Sequence, residues 1–138
     1  MREARATGNK RVLTAALGSV AMHEHEDGHT RKALSTLRQA YALAQETGER
    51  TELPEMLSRM ASVLADAGRH ADAGRLLAKA TEMQQETGTS DPYWSEDRDA
   101  ETLAAVKANL DEAAFERAWS EGLALSEDDA LQHSRFAE

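Results

Sequence analysis

The chain has 138 residues, of which 41% are hydrophobic and only 4% aromatic, and its formal net charge is −9. This length suffices for one domain with a core of aliphatic side chains and alanine. Cysteine is absent, which excludes disulfides and thiolate metal sites, and no apolar run approaches the roughly 20 residues that span a bilayer.

The charge is distributed unevenly along the chain. Residues 1–86 carry 12 acidic and 12 basic side chains, whereas residues 87–138 carry 13 acidic and 4 basic ones. Because binding to phosphates needs a basic face, we expect no direct contact with nucleic acid. The first residues are basic but lack the apolar segment of a signal peptide. We therefore expect a cytoplasmic protein that does not contact membranes.

The first 88 residues contain an internal duplication with an offset of 40 residues. Identical residues recur at this offset in both copies, and the motif Gln-Glu-Thr-Gly closes each copy at 45–48 and 85–88. A fixed period of this length is typical of stacked helical repeats. The repeated pairs are Leu13/Leu53, Leu17/Leu57, Ala21/Ala61, Gly28/Gly68, Ala33/Ala73, Leu37/Leu77 and Ala40/Ala80.

The apolar spacing predicts four helices in this region, at about 10–26, 30–47, 52–67 and 70–87. Leu13, Leu17, Val20 and Ala21 form one stripe of the first helix, which we expect to face the core. Glycines 28 and 68 should end the first helix of each copy, and glycines 48 and 88 the second. Proline 54 suits the first turn of the third helix.

Beyond residue 88, residues 89–95 interrupt the helical periodicity and predict a loop. A helix is predicted at about 96–109, and a second from Asp111 to Gly122. A last helix opens at Ser126, because Ser126 and Asp129 have the spacing of a capping box. The predicted organisation is two repeats in 1–88, a loop in 89–95 and an acidic helical cap in 96–138, together one continuous domain.

The small residues at 21, 33 and 40, repeated at 61, 73 and 80, resemble the tetratricopeptide repeat, in which such residues lie where paired helices touch. This resemblance implies an all-α fold of tetratricopeptide-like antiparallel helix pairs. The 40-residue spacing exceeds the usual 34 of that repeat, and its large aromatics are missing. About three units are normally needed for a stable stack. The two units must therefore be completed by the C-terminal region or by a second copy in a homodimer.

The tail 115–130, which reads FERAWSEGLALSEDDA, resembles the C-terminal tetratricopeptide region of LuxR-type, ATPase-containing bacterial transcriptional regulators. Their tails commonly read F-x-x-A-W-x-E-G-x-x-L-S-x-x-x-A, and their repeats contain phrases like residues 73–77. The resemblance covers about residues 30–135 and implies a regulatory sensor array, often thought to sense small ligands. It leaves open whether the chain is an excised domain of a larger regulator or an independent small protein.

Three methionines and two aromatic residues are candidates for a groove that binds a partner or a ligand. Met56, Met60 and Met83 lie on the repeat helices, and Tyr93 and Trp94 lie in the loop after a proline. Tyrosine and tryptophan are typical of interface hot spots. The loop pair could cover the groove, contact a partner, or simply pack against the domain.

Phe115 and Trp119 are four residues apart and predict a hydrophobic plug that closes the C-terminal cap. His23, His25 and His29 have the donor chemistry of a Zn²⁺ or Ni²⁺ site. However, His23 and His25 point about 200° apart on a helix. A hydrated helix end is therefore the preferred interpretation, and we expect no metal or other cofactor.

The sequence contains no G-x-S-x-G elbow and no phosphate-binding loop. We therefore expect a non-enzymatic protein–protein interaction domain that binds a protein or peptide and forms a homodimer. The alternative is a small-molecule-binding protein, or a small enzyme, with an apolar pocket between the helices lined by the three methionines and Trp94.

Overall fold

The computed structural model describes the backbone of residues 2–47, 52–87 and 96–134, and the side chains of 9–47, 52–86 and 99–134. The described residues form seven α-helices and no strand, which confirms the all-α prediction. None of these helices is long and apolar enough to cross a membrane. The helices are α1 Arg2–Glu26, α2 Thr30–Glu46, α3 Leu53–Asp66, α4 His70–Thr87, α5 Glu96–Asn109, α6 Glu112–Ala124 and α7 Glu127–Gln132.

The two sequence copies form two helix pairs with the same internal turn. Helix α1 packs on α2 and α3 packs on α4, and the pairs meet where α2 contacts α3. Gly28 and Gly68 have φ angles of 88° and 84°. Each glycine closes its helix with the same two backbone hydrogen bonds, for instance His29 N to Glu24 O at 2.8 Å and Gly28 N to His25 O at 3.0 Å. The predicted glycine stops at 28 and 68 are confirmed, because only glycine adopts positive φ without cost.

Of two other predicted helix starts, one agrees with the structure and one differs from it. Pro54 lies in the first turn of α3, as expected. Helix α1 begins at Arg2, eight residues before the predicted start, because residues 2–6 are arginine, glutamate and alanine, which favour helix. Glycines 48 and 88 and the predicted loop 89–95 lie outside the described residues.

The core consists mainly of aliphatic and alanine side chains from both units, with Tyr41 as its largest member. Most residues that the duplication marks as core are indeed buried, with at most 2% of their surface exposed: Ala21, Ala33, Leu37, Ala40, Leu53, Leu57, Ala61, Ala73, Leu77 and Ala80. Two residues of the apolar face predicted for the first helix were wrongly assigned to the core. Leu13 and Val20 are each 48% exposed, because that side of α1 is not covered by any described helix.

The C-terminal helices pack directly on the second unit. Helix α5 contacts α3 and α4, and α6 crosses α4. Asp111 and Ser126 cap α6 and α7, with their side chains accepting from Ala114 N at 2.7 Å and from Asp129 N at 3.1 Å. The predicted starts of both helices are thus confirmed. Gly122 does not end α6, which continues to Ala124. Its role is different, because the backbone of α4 passes directly over it.

Candidate interaction surfaces

The three methionines predicted to line a groove lie in the hydrophobic core. Met56, Met60 and Met83 are 1%, 0% and 2% exposed, respectively. The Met56 methyl carbon is close to α1, since a Cβ on Gly18 would lie 3.3 Å from it. These side chains therefore fill the space between helices and do not open onto a groove. Tyr93 and Trp94, the other groove candidates, lie outside the described residues.

Phe115 and Trp119 form an aromatic pair on α6. Their ring centroids are 5.8 Å apart and the rings are tilted by 34°. Both are partly buried and pack against the core. The ammonium of Lys107 lies 5.2 Å from the Phe115 ring centroid, within cation–π distance. A shallow cavity of about 370 Å³ adjoins the pair, lined by Lys107, Leu110, Glu112, Phe115 and Glu116.

The three histidines around the first turn point in different directions. His23 is largely exposed and lies 3.7 Å from Glu26, whereas His25 Nε2 lies 2.9 Å from Asp66 Oδ2 on α3. His29 is exposed at the start of α2. Within the described part of the chain, no three metal-binding side chains cluster. The arrangement agrees with a polar helix end in which His25 contacts the second unit.

A buried carboxylate on α4 gathers three cationic or ionisable partners, and we call this group the Asp72 cluster. Asp72 is 8% exposed. Its Oδ1 accepts from Arg75 Nη1 at 2.8 Å and lies 3.0 Å from His133 Nδ1. Its Oδ2 accepts from Arg69 Nε at 3.1 Å, and Arg69 Nη2 donates to the same oxygen. A buried carboxylate requires such partners, because burial of an unpaired charge is costly.

The Asp72 cluster joins the end of the described chain to α4. Further contacts join the same end of the chain to α2. Tyr41 donates to Glu127 Oε1 at 2.5 Å. Arg38 Nη1 donates to the Ser134 carbonyl oxygen at 3.3 Å. Residues 127–134, which we call the tail segment, are therefore attached to the second helix of both units.

The Asp72–His133 contact has the chemistry of a hydrolase dyad but not the required surroundings. Ser134, the next hydroxyl along the chain, is completely buried. Its hydroxyl donates to the Leu131 carbonyl oxygen at 2.5 Å. A nucleophile needs an accessible oxygen hydrogen-bonded to the base. The geometry of this group is therefore that of a structural network.

An apolar surface lies on α1 at the opposite end of the stack. We call it the α1 stripe and define it as Val12, Leu13, Ala16 and Val20, all of which are exposed. Val12 is 71% exposed. Three of the four large hydrophobic side chains that are exposed in the described residues belong to this stripe, the fourth being Leu123 on α6. Clustering on one helix face distinguishes the stripe from scattered exposed residues.

Sequence comparison supports a link to bacterial regulators. The chain is 32% identical over 84 residues to proteins of Mycobacterium bovis and of two Mycobacterium tuberculosis strains. These relatives carry the provisional name HTH-type transcriptional regulator. The chain is similar to part of a transcriptional regulator. The match covers 60% of the chain, and the chain spans only about 9% of the length of these relatives. No protein-family model matches the chain, and no solved structure matches it.

The sequence did not lead us to the Asp72 cluster or to the exposure of the α1 stripe. For the cluster a signal exists, since Asp72 and Arg75 are three residues apart on α4 and Arg69 lies three residues before Asp72, next to the start of that helix. His133 lies 61 residues from Asp72 in the sequence, so no local pattern predicts its contact with Asp72. The exposure of the α1 stripe could not be predicted, because the apolar pattern of a helix face is the same whether or not a neighbouring helix covers it.

Proposed function

We propose that this chain is a helical-repeat protein–protein interaction domain with a regulatory role, related to the sensor arrays of LuxR-type, ATPase-containing transcriptional regulators. The observation that carries the proposal is the duplicated helix pair in a chain similar to HTH-type regulators. Stacked helix pairs make extended side-chain surfaces that suit protein partners. In this proposal the pairs are tetratricopeptide repeats, and the domain acts in the cytoplasm without enzymatic activity.

Burial of the three candidate methionines favours a protein partner over a small ligand. The pocket of the alternative function would be lined by Met56, Met60 and Met83, and all three are core residues. Ligand pockets are concave and open to the ligand. The cavity beside Phe115 is partly open to solvent and is lined by three charged side chains and two apolar ones, which suits the contact of a peptide side chain better than enclosure of a small molecule.

The experiment that tests the proposal is reciprocal affinity purification from cells of the organism that encodes the chain, with the whole chain as bait. We expect a reproducible protein partner, and the tagged form of that partner should in turn recover this chain. The dissociation constant is then measured with both proteins purified. A matched pair of baits, Phe115→Ala and Leu123→Ala, alters the aromatic pair and an exposed leucine on the same helix. If the Phe115 cavity contributes to binding, only the first substitution weakens the interaction.

Two results would contradict the proposal. One is the absence of any partner that survives reciprocal purification. The other is a rise in melting temperature with a metabolite but no protein binding, because a ligand that binds only the native state stabilises it. That second result would establish the small-molecule alternative.

A further inference from the structure

The internal duplication provides a comparison for the α1 stripe. Forty residues later, the positions of Leu13, Ala16 and Val20 are occupied by Leu53, Met56 and Met60. These three side chains are at most 1% exposed, and α3 packs against both α1 and α2 of the other unit. The same face is thus covered by helices in the second unit and open in the first.

The shape of the α1 stripe suits a second copy of itself. Leu13 and Val20 lie toward its two ends, and the small residues Ala16 and Ser19 lie between them. Small residues allow two helix backbones to approach closely. In an antiparallel pair centred near Ala16, Leu13 of one copy meets Val20 of the other, so that large side chains flank a close central contact. The stripe itself contains no charged residue.

The charges along α1 favour the antiparallel direction. Residues 2–11, which include the segment before the stripe, hold four basic side chains and one acidic one, and Glu26 and Asp27 follow the stripe. Lys10 also lies 3.2 Å from Glu46 on α2. An antiparallel pair places the basic start of each helix beside the acidic end of the other, whereas a parallel pair places like charges together. The helix dipoles also favour the antiparallel arrangement. The acidic excess of the chain lies beyond residue 86, in helices that pack on the second unit.

We propose that the α1 stripe is the interface of a homodimer in which α1 packs antiparallel against α1 of a second copy. The proposal rests on the interaction function above, since it names one partner for it. One helix per copy buries less than the roughly 1,200 Å² of a standard stable interface. The dimer is therefore expected to be weak, with a dissociation constant on the order of 10–100 μM.

The first test is sedimentation velocity of the purified chain alone from about 5 μM to about 500 μM, a range that brackets the expected constant. We expect a concentration-dependent monomer–dimer equilibrium. Leu13→Glu and Val20→Glu should each abolish the dimer, because each places one carboxylate in both of the symmetric apolar contacts between residues 13 and 20. Both positions are half exposed in the monomer, and circular dichroism should confirm that the variants fold. Leu123→Glu, at a 40% exposed leucine on α6, is the matched control and should leave the dimer intact.

The second test uses the absence of native cysteine to determine the direction of the helices. Ala16→Cys should form a disulfide-linked dimer under mild oxidation, because residue 16 lies near the two-fold axis. His23→Cys should not, because the two copies of residue 23 would be separated along the axis by about 20 Å at 1.5 Å per residue. Both positions are exposed, so the reactivity of the thiols toward a maleimide provides a control for access.

Several outcomes would overturn the proposal. A wild-type chain that remains monomeric at the highest concentration would show that the stripe does not bind a second copy. A dimer that survives Val20→Glu, or that Leu123→Glu abolishes, would place the interface elsewhere. Crosslinking of His23→Cys would indicate parallel helices. Because these measurements use the chain alone, a negative result contradicts the homodimer without affecting a partner found by affinity purification.

Discussion

The backbone of Gly122 on α6 lies directly against the backbone of Arg75 on α4. A Cβ on Gly122 would be 2.2 Å from the Arg75 carbonyl oxygen and 2.7 Å from its Cα. Arg75 also donates to Asp72 and lies 3.6 Å from Glu121. The crossing of α4 and α6 and the attachment of the tail segment therefore depend on the same short stretch of α4.

Gly122→Ala is expected to destabilise the protein by about 3 kcal/mol, because the new methyl group would overlap backbone atoms that cannot rotate away. The free energy of unfolding in urea, followed by circular dichroism, measures the effect. We also expect faster hydrogen exchange in α6 as it separates from α4.

Gly74→Ala is the matched control on the other side of this crossing. Its Cβ would lie 3.4 Å from Val106 Cγ1 and 3.6 Å from the Ala118 Cβ, which are ordinary contact distances. Alanine is preferred over glycine within a helix by about 1 kcal/mol. Gly74→Ala should therefore be neutral or stabilising. Similar losses for both substitutions would show that helix packing in general, and not the Gly122 approach, limits stability here.

Ser58 has a completely buried side chain whose oxygen has no hydrogen-bond partner among the described residues. Replacing it with alanine removes the cost of an unsatisfied hydroxyl and improves helix propensity. Ser58→Ala is therefore expected to raise the free energy of unfolding by about 1 kcal/mol. Thermal and urea unfolding should agree on the sign.

Ser126→Ala makes the same chemical change as Ser58→Ala, but it is expected to lower the free energy of unfolding. The Ser126 hydroxyl accepts from Asp129 N at the start of α7, and loss of such a cap costs about 1 kcal/mol. Two serine-to-alanine substitutions should thus change stability in opposite directions. A loss of stability in Ser58→Ala would mean that its hydroxyl makes a bond through water.

Much of the helical architecture could be predicted from the sequence because local signals determine it. Glycines 28 and 68 lie at positive φ, and the caps at Asp111 and Ser126 act within three residues. The repeat also identified most of the core, since all the apolar residues that recur identically in the two copies are buried except Leu13 and Leu17.

Apart from the start of α1, the errors concern contacts between elements that are distant in sequence. Glycine at 122 can indicate either a helix end or a close approach, and only the position of Arg75 decides between them. Methionine on a repeat helix can line a groove or fill a core, and burial of Met56 depends on its proximity to Gly18. Likewise, the apolar pattern around Leu13 does not reveal whether another helix covers it.

Asp72→Asn is expected to destabilise the protein by about 2 kcal/mol, which is less than the loss for a fully buried ion pair. The substitution keeps the size of the side chain but removes the charge that Arg69, Arg75 and His133 face. These partners lose their counter-charge, but their side chains are 20–35% exposed, so water compensates part of the loss. Urea unfolding measures the loss, and hydrogen exchange should show weaker protection of the tail segment.

Asp66→Asn is the control for that experiment. Asp66 also contacts a histidine, His25, but its side chain is 65% exposed. Exposed ionic contacts contribute about 0–1 kcal/mol. A loss for Asp66→Asn as large as that for Asp72→Asn would mean that burial does not set the strength of these contacts.

Tyr41→Phe tests the other attachment of the tail segment. Tyr41 is completely buried, and its hydroxyl donates to Glu127 across 86 positions of sequence. Phenylalanine preserves the ring packing and removes the hydrogen bond to the carboxylate, which costs about 1.5 kcal/mol. Glu127→Gln should give a similar or smaller loss, and the double substitution should be less than additive, because both remove one interaction. Fully additive losses in urea unfolding would show that the two side chains contribute independently and that the tail segment is held by the Asp72 cluster instead.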